Sequence, residues 1–238
     1  MNEKVLLENI NGQNIFQLMH DSGSKQIVIF CHGFRGTSVG PSRSFVEIAR
    51  KLSDKKICSA RFDQHGSGNS SGDFIDSSFI DWVTTTKILA RKYIDQNYEV
   101  ILFGQSMGGA TVIDVASQIP EIKAVVAWVP DPNVDEGDRY KDDEIEEGGQ
   151  LIKGRYWIEA KDSKIAEKLS NVKCPSYIVQ CSNDEYVSGI NHQAIAQNAN
   201  SNHVVEMFQN YSHSSWTYEQ FQEIIDKSLK FILKSFQN

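Results

Sequence analysis

Gly104-Gln105-Ser106-Met107-Gly108, placed directly after the apolar run Val100-Ile101-Leu102-Phe103, carries the most chemical information in the chain. A Gly-x-Ser-x-Gly pentapeptide that ends a buried strand and opens a helix-forming segment (Ala110 to Ser117, closed by Pro120) marks a sharp turn. In that turn the serine hydroxyl stands above the sheet as a nucleophile. A Cβ at Gly104 or Gly108 would collide with the neighbouring strand or helix turn. The hydroxyl attacks a carbonyl only when an imidazole takes its proton and a carboxylate orients that imidazole. In chain order these partners follow the serine, each at the carboxyl end of a strand.

Asp184 fits the carboxylate, three residues beyond Cys181 in the turn Ser182-Asn183-Asp184-Glu185. Glu185 is its nearest rival, and Asp131 and Asp135 are more distant ones. His213 fits the imidazole, in the loop Asn210-Tyr211-Ser212-His213-Ser214 that follows a strand ending near Gln209. The other histidines fit less well: His20 is expected before the sheet, His192 inside a helix and His203 at the amino end of its strand. A tetrahedral oxyanion needs two N–H donors. The spacing assigns them to the backbone of Met107, at the start of the elbow helix, and of Phe34, in the glycine-flanked turn His32-Gly33-Phe34-Arg35-Gly36. Arg35 is read as solvated, with a substrate carboxylate or an acidic partner as alternatives. The turn Asp63-Gln64-His65-Gly66-Ser67-Gly68-Asn69-Ser70 is read as a clamp on the neighbouring loop.

The elements that must position these groups alternate along the chain. Val5 to Glu8 and Ile15 to Met19 form an opening hairpin through Asn11-Gly12. Strands are predicted at Gln26 to His32, Ile57 to Asp63, Val100 to Phe103, Ala124 to Val129, Ser176 to Cys181 and Val204 to Phe208. Apolar spacing predicts helices over Ser42 to Asp54, Ser77 to Gln96, Ala110 to Ser117, Val187 to Asn198 and Tyr218 to Phe236. This βα rhythm predicts an α/β protein with a mostly parallel sheet covered by helices on both faces. Residues 131–162 break the rhythm and are read as a cap inserted into a single domain spanning 1–238.

Composition narrows the function classes. The formal net charge is −7. Between Asp131 and Glu147, nine acidic residues stand against Arg139 and Lys141, which accounts for the whole of that charge. The run reads as a solvated excursion or as a lid whose field disfavours anionic substrates. No basic footprint suits nucleic acid, and no apolar run reaches the ~18 residues of a membrane span. Four scattered cysteines (Cys31, Cys58, Cys174, Cys181) and no signal-like leader predict a cytoplasmic protein with buried free thiols. Neither a metal nor a cofactor is expected. Monomer and homodimer both stay open.

These blocks together resemble the α/β-hydrolase superfamily, and within it the short-capped carboxylesterase branch of cinnamoyl/feruloyl esterases, near the monoglyceride lipases and serine aminopeptidases. The likeness rests on His32-Gly33-Phe34, Arg61-Phe62-Asp63 with His65-Gly66-Ser67-Gly68, the elbow, Asn183-Asp184-Glu185 and Ser212-His213, which span about residues 26 to 215. It implies an eight-stranded sheet, a small insertion after the sixth strand and a small-molecule ester as substrate. It also implies that Tyr140, Tyr156 and Trp157 of the insertion, with Arg35, line a pocket for an aromatic or short acyl group. Two departures are visible: Gln105 stands where relatives often have His, and Cys181-Ser182 where they have a Gly-Asp type of turn. An ester hydrolase with an acyl-enzyme intermediate is the leading expectation. A peptidase or amidase, a monoglyceride lipase and a non-catalytic ligand sensor are the alternatives.

Overall fold

The computed structural model describes residues 3–135, 141 and 143–237. The opening strands, β1 (Glu3–Ile10) and β2 (Gln13–His20), pair antiparallel across Asn11-Gly12. Both turn residues have positive φ, 51° and 85°, as a tight hairpin of this type demands. Beyond them lie β3 (Gln26–Cys31), β4 (Cys58–Phe62), β5 (Glu99–Gln105), β6 (Ala124–Trp128), β9 (Ser176–Cys181) and β10 (His203–Phe208). They join one eight-stranded sheet in the order β1-β2-β4-β3-β5-β6-β9-β10. Every pairing from β4 to β10 is parallel.

Side chains alternate between two apolar layers because a strand repeats every two residues. From β3, Val28 and Phe30 point into the layer under α1 (Ser44–Asp54) and α7 (Tyr218–Gln237). Ile27, Ile29 and Cys31 point into the opposite layer, under α2 (Phe79–Asp95) and α3 (Met107–Gln118). With both faces covered, the central strands read as unbroken apolar runs and not as alternating ones. Between β6 and β9 lie the hairpin of β7 (Glu144–Glu147) and β8 (Gln150–Lys153), then α4 (Arg155–Asp162) and α5 (Ile165–Leu169). Lys168 of α5 reaches the buried Asp114 carboxylate on α3 at 2.7 Å, tying α5 to α3. Glu159 of α4 accepts the Ile80 N–H at the start of α2. The last helix before β10 is α6 (Gly189–Asn198).

Several boundaries shift for local reasons. The helix predicted from Ser42 begins at Ser44, because Ser42 and Arg43 adopt positive φ after Pro41. The helix predicted from Val187 begins at Gly189, because the Ser188 hydroxyl caps it by accepting the Asn191 N–H. His20 does not precede the sheet: it is the last residue of β2 and pairs with Ser59 near the amino end of β4, away from the strand ends that carry Ser106 and Asp184. All four cysteines are buried and free. No described helix is long and apolar enough to cross a membrane.

Burial holds the imidazoles of His20, His32, His192 and His203 below the ordinary 6.5, desolvation being the largest cause for each. In the fold these groups take up protons at lower pH than they do once the chain opens. Their contribution to stability is therefore complete above about pH 6.5 and is lost as the pH falls below that value. The urea midpoint is expected to decline steadily between pH 7 and 5.5. A flat midpoint over that interval would refute the assignment.

Candidate active site

The strained turn comes first. Ser106 sits between β5 and α3 at φ 55°, ψ −124°, outside the regions open to most L-residues. Such a backbone costs on the order of 1–3 kcal/mol and persists only where its surroundings over-determine it. The Ser106 N–H donates to the Trp128 carbonyl of β6 at 2.8 Å. A Cβ on Gly108 would run into the carbonyls of Cys31 and His32, and one on Gly104 into the Gly108 carbonyl. Glycine at both positions lets β3, β5 and α3 close on one point, with the positive end of α3 behind the serine.

Next to it lies an acid–imidazole pair from the ends of β9 and β10. The Asp184 side chain is fully buried, and its Oδ2 lies 2.8 Å and its Oδ1 3.0 Å from Nδ1 of His213. Oδ1 also accepts the backbone N–H groups of Tyr186 and Val187, at 2.9 and 2.8 Å. Those donors offset the desolvation of the carboxylate. The carboxylate fixes the tautomer: Nδ1–H of His213 donates to it, leaving Nε2 as the acceptor. Glu185, the rival acid, acts elsewhere on the same residue, since its Oε2 accepts the His213 backbone N–H at 3.0 Å. The loop is pinned further by Trp216, whose Nε1–H donates to the Ser212 carbonyl at 2.7 Å. Nε2 of His213 faces the side-chain amide nitrogen of Gln105 at 3.5 Å. Among the described residues Ser106 and His213 are not hydrogen bonded to one another, although both line the same cleft.

The third component is the turn after β3. Nδ1–H of His32 donates to the Gly33 carbonyl at 2.8 Å, while its Nε2 accepts the Gln64 N–H at 3.0 Å. The fully buried Asp63 carboxylate accepts from the backbone of Ser38 (2.5 Å) and of Asn69 (2.9 Å). The 63–70 turn thus clamps the turn that carries Phe34 and Arg35. Among the described residues the N–H groups of Phe34 and Met107 donate no hydrogen bond, and both residues line the cleft beside Ser106.

The cleft encloses about 590 Å³ and opens where these loops meet. Trp157 and Phe34 form its apolar wall, with ring centroids 4.6 Å apart. Arg35 lines it too; its guanidinium carbon lies 5.9 Å from the Phe34 ring centroid, and its Nη1 occupies the space a Cβ on Gly148 would need. Tyr156 does not line the cleft. Its ring is fully buried behind Phe34, packed edge-on against Trp82 and Phe79. Consecutive helical residues point about 100° apart, so Trp157 faces the cleft and Tyr156 the core. Tyr140 lies outside the described residues.

Residues 22–138 match the model of the family described as Serine aminopeptidase, S33, a stretch that includes the His32 turn and the elbow and stops short of Asp184 and His213. The whole chain superposes on solved structures. Est1E from Butyrivibrio proteoclasticus, with ferulic acid bound, matches at TM-score 0.84 and 21% identity, over 98% of this chain and 100% of that one. The α/β hydrolase GrgF from Penicillium sp. sh18 matches at TM-score 0.82 and 12% identity, over the full length of both chains. A monoacylglycerol lipase from Paleococcus ferrophilus matches at TM-score 0.77 and 15% identity, over 93% of this chain and 99% of that one. The chain has the α/β-hydrolase fold. No curated protein matches at a significant level.

On this α/β-hydrolase fold the sequence-predicted Ser106, Asp184, His213, Phe34, Met107, Arg35 and Trp157 converge on one edge of the sheet. Two neighbours went unassigned from sequence: Gln105, and Glu185 as a holder of the His213 backbone. The signal for Gln105 was its place beside the serine, since the residue that ends the strand must project along the same edge. Among the described residues no cluster of His, Cys, Asp or Glu is arranged to hold a metal ion. Asp63→Ala strips a buried acceptor from two backbone donors, Ser38 and Asn69. It is expected to lower the unfolding free energy by about 2–4 kcal/mol, read by urea titration; a loss within experimental error would remove the clamp from its role.

Proposed function

We propose that this α/β-hydrolase-fold protein cleaves carboxylic esters of small molecules through an acyl-enzyme intermediate. The observation that carries the reading is the buried Asp184–His213 pair, which opens onto the cleft that holds Ser106 on its strained turn. Oγ of Ser106 attacks the ester carbonyl carbon as its proton passes to Nε2 of His213. The charge that develops on the carbonyl oxygen is met by the N–H groups of Phe34 and Met107, each worth roughly 3 kcal/mol of barrier. The intermediate collapses as Nε2–H protonates the departing alkoxide, and the alcohol leaves. Water then adds to the acyl carbon with its proton going to His213, and the free acid departs as the proton returns to Ser106. Asp184 keeps Nδ1 protonated throughout and stabilises the imidazolium.

The Phe34–Trp157 wall supports an aromatic acyl group of the cinnamoyl or feruloyl type, with short aliphatic acyl groups as the competing choice. Est1E, a neighbour in fold, was solved with ferulic acid, which supports the same choice. The inserted residues 131–162 serve as the cap in this reading: Asp131, Glu147 and Trp157 from that stretch line the cleft. In this reading residues 1–238 form a single hydrolase domain that includes the cap. Four buried free thiols fit a reducing, cytoplasmic setting.

One observation favours a second reading. The matching family is named for aminopeptidases, and a peptidase or amidase would use the same three residues. Esters of graded acyl size ending in methyl ferulate, monoacylglycerols, and aminoacyl anilides separate the choices. Ser106→Ala is expected to abolish ester turnover in a folded protein. Asp184→Asn is expected to lower kcat by roughly 10⁴, measured by stopped release of the alcohol. Wild-type turnover in Ser106→Ala, or turnover confined to anilides, would overturn the ester reading. Fluorophosphonate labelling without any turnover would indicate a sensor. Trp157→Ala is expected to raise KM for methyl ferulate by about tenfold while leaving a short aliphatic ester within about twofold, since one aromatic wall contributes about 1–2 kcal/mol. Equal effects on both esters would remove Trp157 from acyl recognition.

A further inference from the structure

The residue before the serine has no role in the chemistry described so far, yet its placement is restrictive. Gln105 ends β5 and is buried. Its amide oxygen lies against Gly33 of the Phe34 turn, where any Cβ on that glycine would meet it. Its amide nitrogen lies 3.5 Å from Nε2 of His213. The amide is therefore held between the two loops that must act together. Its orientation agrees with the tautomer of His213: Nδ1 donates to Asp184, Nε2 is an acceptor, and the amide turns its N–H toward that acceptor.

We propose that Gln105 is a positioning residue that holds Nε2 of His213 in the free enzyme and works against protonation there. This rests on the reading of Ser106, His213 and Asp184 given above. An N–H aimed at Nε2 favours its lone pair and opposes the imidazolium, whose own N–H would then point at another donor. One consequence follows for the cycle. After the serine proton has passed to Nε2, the contact with Gln105 turns unfavourable, which hurries the proton on to the leaving alkoxide. The other groups facing the imidazole are Asp184 on Nδ1, Glu185 on the backbone N–H, the Tyr186 ring at 5.2 Å, and His192 of α6, electrostatically linked to it. The carboxylates among them favour the cation, and the amide acts in the opposite sense.

Two near-isosteric variants test the proposal. Gln105→Glu replaces the donor by a carboxylate. It is expected to raise the midpoint of the acidic limb of kcat/KM by about one pH unit, and to raise the imidazole midpoint of His213 by the same amount in an NMR titration. Gln105→Met removes the polar head. It is expected to move both midpoints upward by a smaller step and to lower kcat by about tenfold with KM nearly unchanged. Thermal unfolding of each variant checks that the fold is kept. In Gln105→Met a purely structural Gln105 would change stability and leave both midpoints in place, and that result overturns the proposal. The NMR titration needs no turnover: a shifted midpoint in Gln105→Glu together with full activity in Ser106→Ala would sink the catalytic reading and leave the Gln105–His213 contact standing. Unshifted midpoints together with an inactive Ser106→Ala would do the reverse.

Discussion

The positive φ of Ser106 is the constraint from which the rest of the site follows. A strand that leaves the sheet at φ 55° and enters a helix at once leaves no room for side chains at Gly104 and Gly108. The backbone of β3 and of α3 then approach within contact, so the Cys31 and His32 carbonyls lie where a Gly108 Cβ would be. That approach brings the turn bearing Phe34 beside the first N–H of α3. The strain is held by neighbours on both sides, since the Ser106 amide is tied to Trp128 on β6. The elbow could not relax without displacing two adjacent strands.

A second constraint is electrostatic. Asp184 is fully buried, so its charge must be satisfied within the fold. Two backbone N–H groups of its own turn and one imidazole N–H do so. Because two of those donors belong to the main chain of its own turn, the carboxylate is held independently of His213 and orients it. Glu185, the adjacent residue, fixes the backbone of the same histidine. Two neighbouring acids thus hold one residue by ring and by main chain, and only one of them is next to the ring.

Most of this architecture was legible in the chain because its signals are local. Parallel strands buried on both faces must be continuous apolar runs, and Gln26 to His32 or Ser176 to Cys181 could hardly be read otherwise. The order serine, acid, histidine along a right-handed βα succession leaves few choices of loop. Less legible was anything set by rotation about a helix or by a change of backbone sign. Tyr156 and Trp157 look equivalent in sequence, but one turn angle sends the first into the Trp82–Phe79 layer and the second to the cleft. Ser42 and Arg43 fit an amphipathic pattern, yet positive φ at both holds them out of α1. His20 lay at the edge of an apolar run whose last paired residue no periodicity identifies. The approach of Gln105 to His213 joins residues far apart in the chain, so only the place of Gln105 beside the serine was visible in sequence.

The choice of substrate is governed by a different balance from the choice of chemistry. The cleft has one aromatic wall, Phe34 with Trp157, and a charged rim that includes Arg35, Asp131 and Glu147. The aromatic wall belongs half to the clamped turn and half to the inserted segment. A ligand that presses on Trp157 therefore also presses on the turn that carries the Phe34 amide. Arg35 adds a second link, because its guanidinium fills the space beside Gly148 in the β7–β8 turn. An acyl group that seats well against this wall would align the inserted segment and the amide donor together. Under the proposed ester chemistry, binding energy from a part of the substrate remote from the reacting carbon could then be used at the reacting centre, which is how residues that only line the cleft can set both affinity and rate.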